Sequence, residues 1–216
     1  MKRIKEIHAQ LQDKNSVWYQ VFDLIRFVII CLVIVIPIRI FIAQPFIVEG
    51  ASMVPTFQDK NYLIVDQISY RFHKPQRGDV IVFRPPTNPK TFYIKRIVGL
   101  PGETITFDGK EISITNDTYP EGLILEEPYI ERDIFHTETT TLGDNEYYVM
   151  GDNRANSSDS RVWGALDEDA ITGRVWLRLW PLNHIRIHPG DYRNTYEINH
   201  TTTEDSPENL ESTSLS

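Results

Sequence analysis

One long apolar run near the N-terminus limits this chain more than any other feature. From Phe27 to Ala43 the sequence reads FVIICLVIVIPIRIFIA, interrupted only by Pro37 and Arg39. This length is at the short end of what an α-helix needs to cross the hydrocarbon core of a bilayer. We therefore predict a transmembrane anchor over residues 27–45, in which Arg39 lies near one end and can extend toward the interface.

Basic residues ahead of the run predict the orientation of this anchor. They are Lys2, Arg3, Lys5, Lys14 and Arg26. Because basic flanks stay inside the cell, residues 1–26 are predicted to be cytoplasmic and the chain after about Gln44 extracytoplasmic. The expected location is thus the cell membrane, in contact with its lipid, as a single-pass protein.

Two alternatives to an uncleaved anchor are weaker. A cleavable secretory signal would have a shorter leading segment and an Ala-x-Ala-like site after the run. A buried core helix would need other helices around it, and the remaining sequence predicts almost none.

Charge and cysteine content exclude several classes of function. The net charge is −8, and the segment from Glu103 to Met150 holds 12 acidic and two basic residues. Nucleic acid is therefore not an expected partner, since no basic patch is predicted. The single cysteine, Cys31, lies within the apolar run, which excludes a disulfide, a thiol nucleophile and a cysteine metal site in the remainder. His184 and His188 have no acidic neighbour to complete a metal site.

The region from Phe46 onward is typical of a β-rich domain. Short β-branched or aromatic runs bounded by Gly, Pro, Asn or Asp predict strands. The predicted strands are Tyr62–Val65, Asp79–Phe83, Phe92–Val98, Glu103–Phe107, Glu111–Ile114, Glu146–Met150 and Gly173–Trp180. We predict a mainly β domain over residues 46–198, and a disordered polar tail over 199–216, where Lys and Arg are absent.

Ser52 and Lys95 are a candidate nucleophile and a candidate base. Ser52 lies in the segment GASMVPT from Gly50 to Thr56, only a few residues after the apolar run. Lys95 lies within the apolar strand-like segment YIKRIVG. Burial disfavours the charged ammonium and lowers its pKa, which leaves a neutral amine able to accept a proton. A Ser-Lys pair is a known variant of nucleophile-plus-base acyl transfer.

Four segments together carry a family resemblance. They are GASMVPT (50–56), RGDVIVF (77–83), YIKRIVGLPG (93–102) and GDNRANSSDSRVWG (151–164). In this order, behind an N-terminal anchor, they closely resemble the bacterial type I signal peptidase family. The resemblance covers the chain from the anchor to about Trp180. It implies an antiparallel β-sheet catalytic domain of the signal-peptidase type.

The resemblance implies a role for each matching residue. Ser52 would be the nucleophile, Lys95 the general base, and Ser157 a serine whose hydroxyl orients the lysine amine. The remaining matches would be supporting or scaffold positions, with Asp159 and Arg161 forming an ion pair beside Asp152, Asn153 and Arg154. Met53 and Pro55 would fix the turn that carries the nucleophile.

Two departures from the best-known Gram-negative pattern indicate a Gram-positive-like member. Gly50 stands where some members have a serine that donates to the oxyanion. The oxyanion hole would then rest on the backbone N–H of Ser52, and the second donor is left open between the backbone N–H of Gly50 and a water molecule. Only 55 residues separate Lys95 from Gly151. This leaves room for a small acidic cap, over about residues 103–145, rather than a large second domain.

The resemblance implies a membrane-anchored serine endopeptidase that removes signal peptides from exported preproteins with a Ser-Lys dyad. No metal or other cofactor is expected, and the sequence leaves the oligomeric state open. The endoplasmic-reticulum type has histidine in place of lysine, and self-cleaving repressors carry DNA-binding helices. A non-catalytic relative that assists assembly of surface proteins is the alternative, but it would be expected to lack Ser52 or Lys95.

Overall fold

The computed structural model describes residues 17–37, 39, 43–109, 111–130 and 137–192. It divides into two compact units, residues 1–44 and 45–216, which are described separately. The predicted tail over residues 199–216 lies outside the described residues.

The N-terminal unit contains one long helix. Helix α1 spans Val17–Pro37, and within the described residues it alone is long and apolar enough to cross a membrane. It begins ten residues before the predicted anchor, and Ala43–Ile47, at the end of that prediction, is a strand. Pro37 is the last residue of this helix, and without a backbone N–H it cannot donate a hydrogen bond to the carbonyl group four residues earlier.

The second unit is mainly antiparallel β-structure, as the sequence predicts. The unit begins at Pro45, within the first strand. Its strands are β1 (Ala43–Ile47), β2 (Tyr62–Asp66), β3 (Val80–Phe83), β4 (Tyr93–Gly99), β5 (Thr104–Phe107), β6 (Ile112–Thr115), β7 (Leu123–Ile124), β8 (Glu138–Thr141), β9 (Glu146–Met150), β10 (Leu166–Asp167), β11 (Ile171–Trp180) and β12 (Arg186–Ile187). One short α-helix, α2 (Ser160–Trp163), precedes β10.

These strands form two sheets. The larger has the order β1-β2-β11-β3-β4-β9-β10, with β12 also paired to β11. The smaller has the order β7-β6-β5-β8 and falls within the predicted acidic cap. Strand β4 is central, because it pairs with β3 on one side, where Lys95 faces Ile81, and with β9 on the other, where Arg96 faces Met150.

Three apolar clusters hold the described residues of this unit together. One joins the smaller sheet to β4 and β9 through residues that include Phe107 and Tyr148. A second contains Met53 and Phe57 from the loop between β1 and β2, packed on side chains of β2, β3 and β11. This loop is therefore anchored by buried side chains, and it is the loop that carries Ser52.

Candidate active site

The loop between β1 and β2 presents Ser52 from a short turn. The N–H of Phe57 donates to Met53 O at 2.8 Å, and the side chains of both residues are buried. Ser52 itself is half-buried. Burial of the two flanking apolar side chains fixes the backbone, which leaves the Ser52 hydroxyl at the surface of a rigid turn.

Strand β4 brings Lys95 to this hydroxyl. Lys95 is only 4% exposed, and its Nζ lies 2.7 Å from Ser52 Oγ and 2.9 Å from Ile94 O. The pKa of Lys95 is lowered from 10.5 to about 8, mainly because burial removes the hydration of the ammonium; Asp159 and Asp152 oppose this shift, and Arg161 adds to it. The amine therefore reaches its neutral form near physiological pH, and in that form its lone pair can accept the Ser52 proton.

The segment after β9 supplies the ion pair expected from the sequence. Arg161 donates to both carboxylate oxygens of Asp159, each at 2.8 Å, and Asp159 also accepts the N–H of Gly151 at 3.0 Å. Burial alone would raise the pKa of Asp159, but the hydrogen bonds and charge of Arg161 lower it below its usual value. Asp159 is therefore a buried anion, and it raises the pKa of Lys95.

Ser157 lies in the same segment but does not make the expected contact with the lysine amine. Its Oγ is buried and interacts with Asp159 rather than with the amine, and this interaction helps to lower the pKa of Asp159. The amine of Lys95 is directed to Ser52 Oγ and Ile94 O instead. In this conformation, orientation of Lys95 thus comes from its own strand.

Close backbone packing joins the two loops of the site. Ser52 O accepts the N–H of Asn153 at 3.0 Å, and the Asn153 side chain donates to Ala51 O at 3.0 Å. A Cβ atom at Gly151 would overlap both Ser52 O and Ser157 Oγ. Glycine is therefore required at this position for the loops to approach each other.

The two backbone N–H groups expected at the oxyanion hole differ in availability. The N–H of Gly50, which has a φ of +90°, already donates to Asp59 Oδ1 at 2.9 Å. Within the described residues, the Ser52 N–H donates to no protein atom. A substrate oxygen can thus accept from Ser52 directly, whereas a bond from Gly50 would require displacement of Asp59.

Two buried ion pairs around the site were not predicted from the sequence. Arg96 donates to both oxygens of Asp152, at 2.9 and 2.7 Å, and both side chains are fully buried. Arg154 donates a pair of hydrogen bonds to the carboxylate of Glu127, a residue that follows β7 of the smaller sheet. One sequence feature could have indicated the Arg96–Asp152 pair: Arg96 is a charged residue within an apolar strand. Because successive side chains of a strand point to opposite faces of the sheet, Arg96 points away from Lys95 and needs a partner of its own.

An apolar groove opens beside the two reactive groups. It has a volume of about 400 Å³, and Ser52 and Lys95 are among its lining residues. The apolar part of the lining consists of Phe46, Ile47, Val48, Leu63, Val82, Phe92, Tyr93 and Ile94. A peptide with small apolar side chains fits such a groove sterically and chemically.

Comparisons with known proteins identify the family of the chain. Residues 21–180 match the family described as signal peptidase, peptidase S26. A probable signal peptidase I-1 of Synechocystis sp. (strain ATCC 27184 / PCC 6803 / Kazusa) is 35% identical over 174 residues, covering 77% of this chain and 86% of that protein. The signal peptidase I of Leptolyngbya laminosa is 38% identical over 161 residues, covering 71% and 76% respectively.

Two further relatives are similar. Signal peptidase IB of Staphylococcus aureus (strain COL), a Gram-positive organism, is 29% identical over 187 residues, covering 77% of this chain and 93% of that protein. A crystal structure of a signal peptidase I from Enterococcus faecalis V583 is 30% identical, with a TM-score of 0.41, and covers 47% of this chain and 97% of that one.

These matches define the chain first as a protease, an enzyme that hydrolyses peptide bonds. More closely, the chain belongs to the signal peptidase family, peptidase S26, as a bacterial type I signal peptidase that removes signal peptides. The N-terminal apolar helix fits a single-pass membrane protein.

Proposed function

We propose that this enzyme cleaves preproteins with a Ser-Lys dyad, in which Ser52 is the nucleophile and Lys95 the general base. One observation carries the proposal: Lys95 Nζ lies 2.7 Å from Ser52 Oγ, and burial lowers the pKa of Lys95 to about 8. Hydrogen-bond distance and a pKa near the working pH are the two requirements for a general base.

The neutral amine accepts the Ser52 proton as Oγ attacks the scissile carbonyl. The resulting ammonium then protonates the leaving amine of the mature protein, which leaves an acyl-enzyme on Ser52. Lys95, neutral again, takes a proton from water as the water attacks the ester. The ammonium then returns that proton to Ser52 Oγ as the ester C–O bond breaks, which releases the cleaved signal peptide and restores the free enzyme. The bond from Lys95 to Ile94 O supports this cycle, because it keeps the amine aligned in both protonation states.

The oxyanion formed in each step is proposed to accept from the Ser52 backbone N–H. This donor belongs to a turn fixed by buried Met53 and Phe57, so it needs little reorganisation when charge develops. Gly50 is the weaker candidate for the second donor, since its N–H is already bonded to Asp59. A water molecule is an alternative second donor.

The substrate is proposed to lie extended in the apolar groove, with small side chains at the first and third positions before the cut. The groove supports this because it is shallow, mostly apolar and adjacent to both reactive groups. Strand β1 lies at the edge of the larger sheet and can pair with an extended peptide by main-chain hydrogen bonds.

Helix α1 is proposed to anchor the enzyme in the cytoplasmic membrane, with the N-terminus inside and the catalytic domain outside. Its 21 residues are long and apolar enough to cross a bilayer, and five basic residues lie in the first 26 positions. Basic flanks favour the cytoplasmic side, which supports the assigned orientation. On the outer face, the domain would meet preproteins as they emerge with their signal peptides still in the bilayer.

Processing of a purified preprotein by the full-length chain tests the dyad. Ser52→Ala and Lys95→Met should each abolish cleavage, and the double variant should be no slower than either single one, because the two side chains act as a unit. Lys74→Met is a matched control, since Lys74 is an exposed lysine outside the groove lining. Normal cleavage by a folded Lys95→Met protein would disprove the base assignment.

A further inference from the structure

A second cavity, separate from the active-site groove, is lined by basic side chains. Its volume is about 480 Å³, and its lining includes Arg178, His184 and Arg186. Within the described part of the chain, no carboxylate lines it. We propose that this cavity, called here the basic pocket, binds a phosphate-bearing anion, a function beyond the peptide cleavage proposed above.

The placement of two arginines directly opposite each other is the main argument. Arg178 of β11 and Arg186 of β12 are cross-strand partners, so their side chains leave the sheet at neighbouring points. Like charges in such positions repel. Neither guanidinium forms an ion pair among the described residues, and burial together with the charge of Arg186 lowers the pKa of Arg178. In a chain of net charge −8, an uncompensated pair of this kind calls for a bound anion.

Arg178 is already held in place for such an anion. Its Nε donates to His184 O at 2.9 Å and its Nη1 donates to Thr56 O at 3.0 Å, with the guanidinium 5.8 Å from the Phe57 ring centroid. These bonds use two of the five guanidinium N–H donors and fix the plane of the group. The donors that remain can face the cavity with little further loss of conformational entropy.

Phosphate suits the basic pocket better than a single carboxylate does. Arg178, Arg186 and His184 line it from separate positions in the chain, and Gln58 and Asn61 also belong to the lining. A tetrahedral phosphate offers three or more acceptor oxygens in different directions, whereas a carboxylate offers two in one plane. Free phosphate and a phospholipid headgroup share this chemistry.

Two titrations of the full-length protein in maltoside micelles test the site. The first uses inorganic phosphate at constant ionic strength, and the second adds phosphatidylglycerol to the micelles, with phosphatidylcholine as the zwitterionic comparison. Calorimetry gives the dissociation constant. Saturable binding in the phosphate titration identifies a free anion as a sufficient ligand. Saturable binding of phosphatidylglycerol alone identifies the lipid headgroup.

Arg186→Gln is the decisive variant, because Arg178 also holds Thr56 of the Ser52 loop and its replacement would disturb the active site. Loss of one charge-assisted contact should weaken binding about five- to tenfold. Lys74→Gln removes the same charge from an exposed position outside the basic pocket and should leave the affinity unchanged. The proposal is overturned if neither probe saturates, if Arg186→Gln binds as wild type does, or if Lys74→Gln weakens binding equally.

Discussion

Arg96 and Asp152 form a fully buried, bidentate ion pair that also engages the Ser52 loop. Asp152 Oδ2 accepts the Thr56 hydroxyl at 2.5 Å, and Arg96 donates to Gly78 O at 2.9 Å. The Arg96 guanidinium lies 4.0 Å from the Tyr129 ring centroid. The pair therefore joins the strand that carries Lys95 to the loop that carries Ser52.

Asp152→Asn should destabilise the domain and also change its catalysis. The substitution leaves Arg96 buried without its counter-charge, which costs about 3–5 kcal/mol. It also removes a carboxylate that raises the pKa of Lys95, so the rise of activity with pH should move to lower pH. Denaturant unfolding and a pH–rate profile measure the two effects. Asp144→Asn, at an exposed position, is the control, and Asp152→Asn with unchanged stability would contradict this role.

Cleavage should increase with pH through about pH 8. The pKa of Lys95 lies at that value, so the amine is mostly protonated below it and mostly neutral above it. The rate at subsaturating substrate should rise about tenfold per pH unit below the pKa and level off above it. Two preproteins with different residues near the cut separate enzyme titration from substrate titration. A flat profile for both would exclude Lys95 as the base.

Lys95→Met should stabilise the inactive protein at neutral pH. The folded-state pKa of about 8 lies below the ordinary 10.5, so folding is penalised while Lys95 is charged in the unfolded chain. At about 1.4 kcal/mol per pKa unit, the gain is at most about 3.5 kcal/mol. It should be complete below pH 8 and vanish as pH rises from about 8 to 10.5. Thermal unfolding across this window measures it. Lys90→Met, at an exposed position, should show no such pH dependence, and a Lys95→Met protein less stable at pH 7 would refute the argument.

Gly151→Ala should reduce the turnover number more than it reduces stability. The new methyl group would overlap Ser52 O and Ser157 Oγ, so the two loops must separate. A displacement near 1 Å at the nucleophile is enough for about a hundredfold loss of rate. Gly143→Ala provides the comparison, because there the nearest atoms belong to the flexible Glu146 side chain. Equal turnover in both variants would show that the close approach has no catalytic role.

Protease added to intact protoplasts should digest the chain from about Phe46 onward and spare residues 1–26. The basic flank ahead of α1 is the reason, since positive residues resist translocation. Antibodies against each end of the chain identify the fragments on a gel, and detergent-lysed cells provide the control in which both ends are accessible. Digestion of the N-terminal segment alone would reverse the orientation.

Local sequence patterns predicted most of the sheet but not its edges. The central strand was predicted as Phe92–Val98 and spans Tyr93–Gly99, because a β-branched run bounded by turn residues is a strong local signal. Strand β1 was assigned to the anchor, since apolar residues alone do not distinguish the end of a helix from a strand. Strand β8 was missed because it is polar; its Thr139 and Thr141 pair with threonines of β5.

In the active site, likewise, the sequence predicted the two reactive residues but not the partners of the buried ion pairs around them. Motif identity predicted Ser52 and Lys95, which the structure places 2.7 Å apart although they are 43 residues apart in sequence. The pairing of Arg96 with Asp152 spans 56 residues and that of Arg154 with Glu127 spans 27. Such partners depend on how strands and loops meet in three dimensions, and no local pattern of charge or hydropathy specifies them.

Burial of Lys95 also determines when the enzyme becomes active. In an extended chain, water surrounds the amine, its pKa stays near 10.5, and the serine has no base within reach. Only when β3, β4 and β9 have assembled does the amine lose its hydration and meet Ser52. The proposed dyad would therefore not exist in a partly folded chain, and assembly of the sheet would itself delay the onset of peptide cleavage.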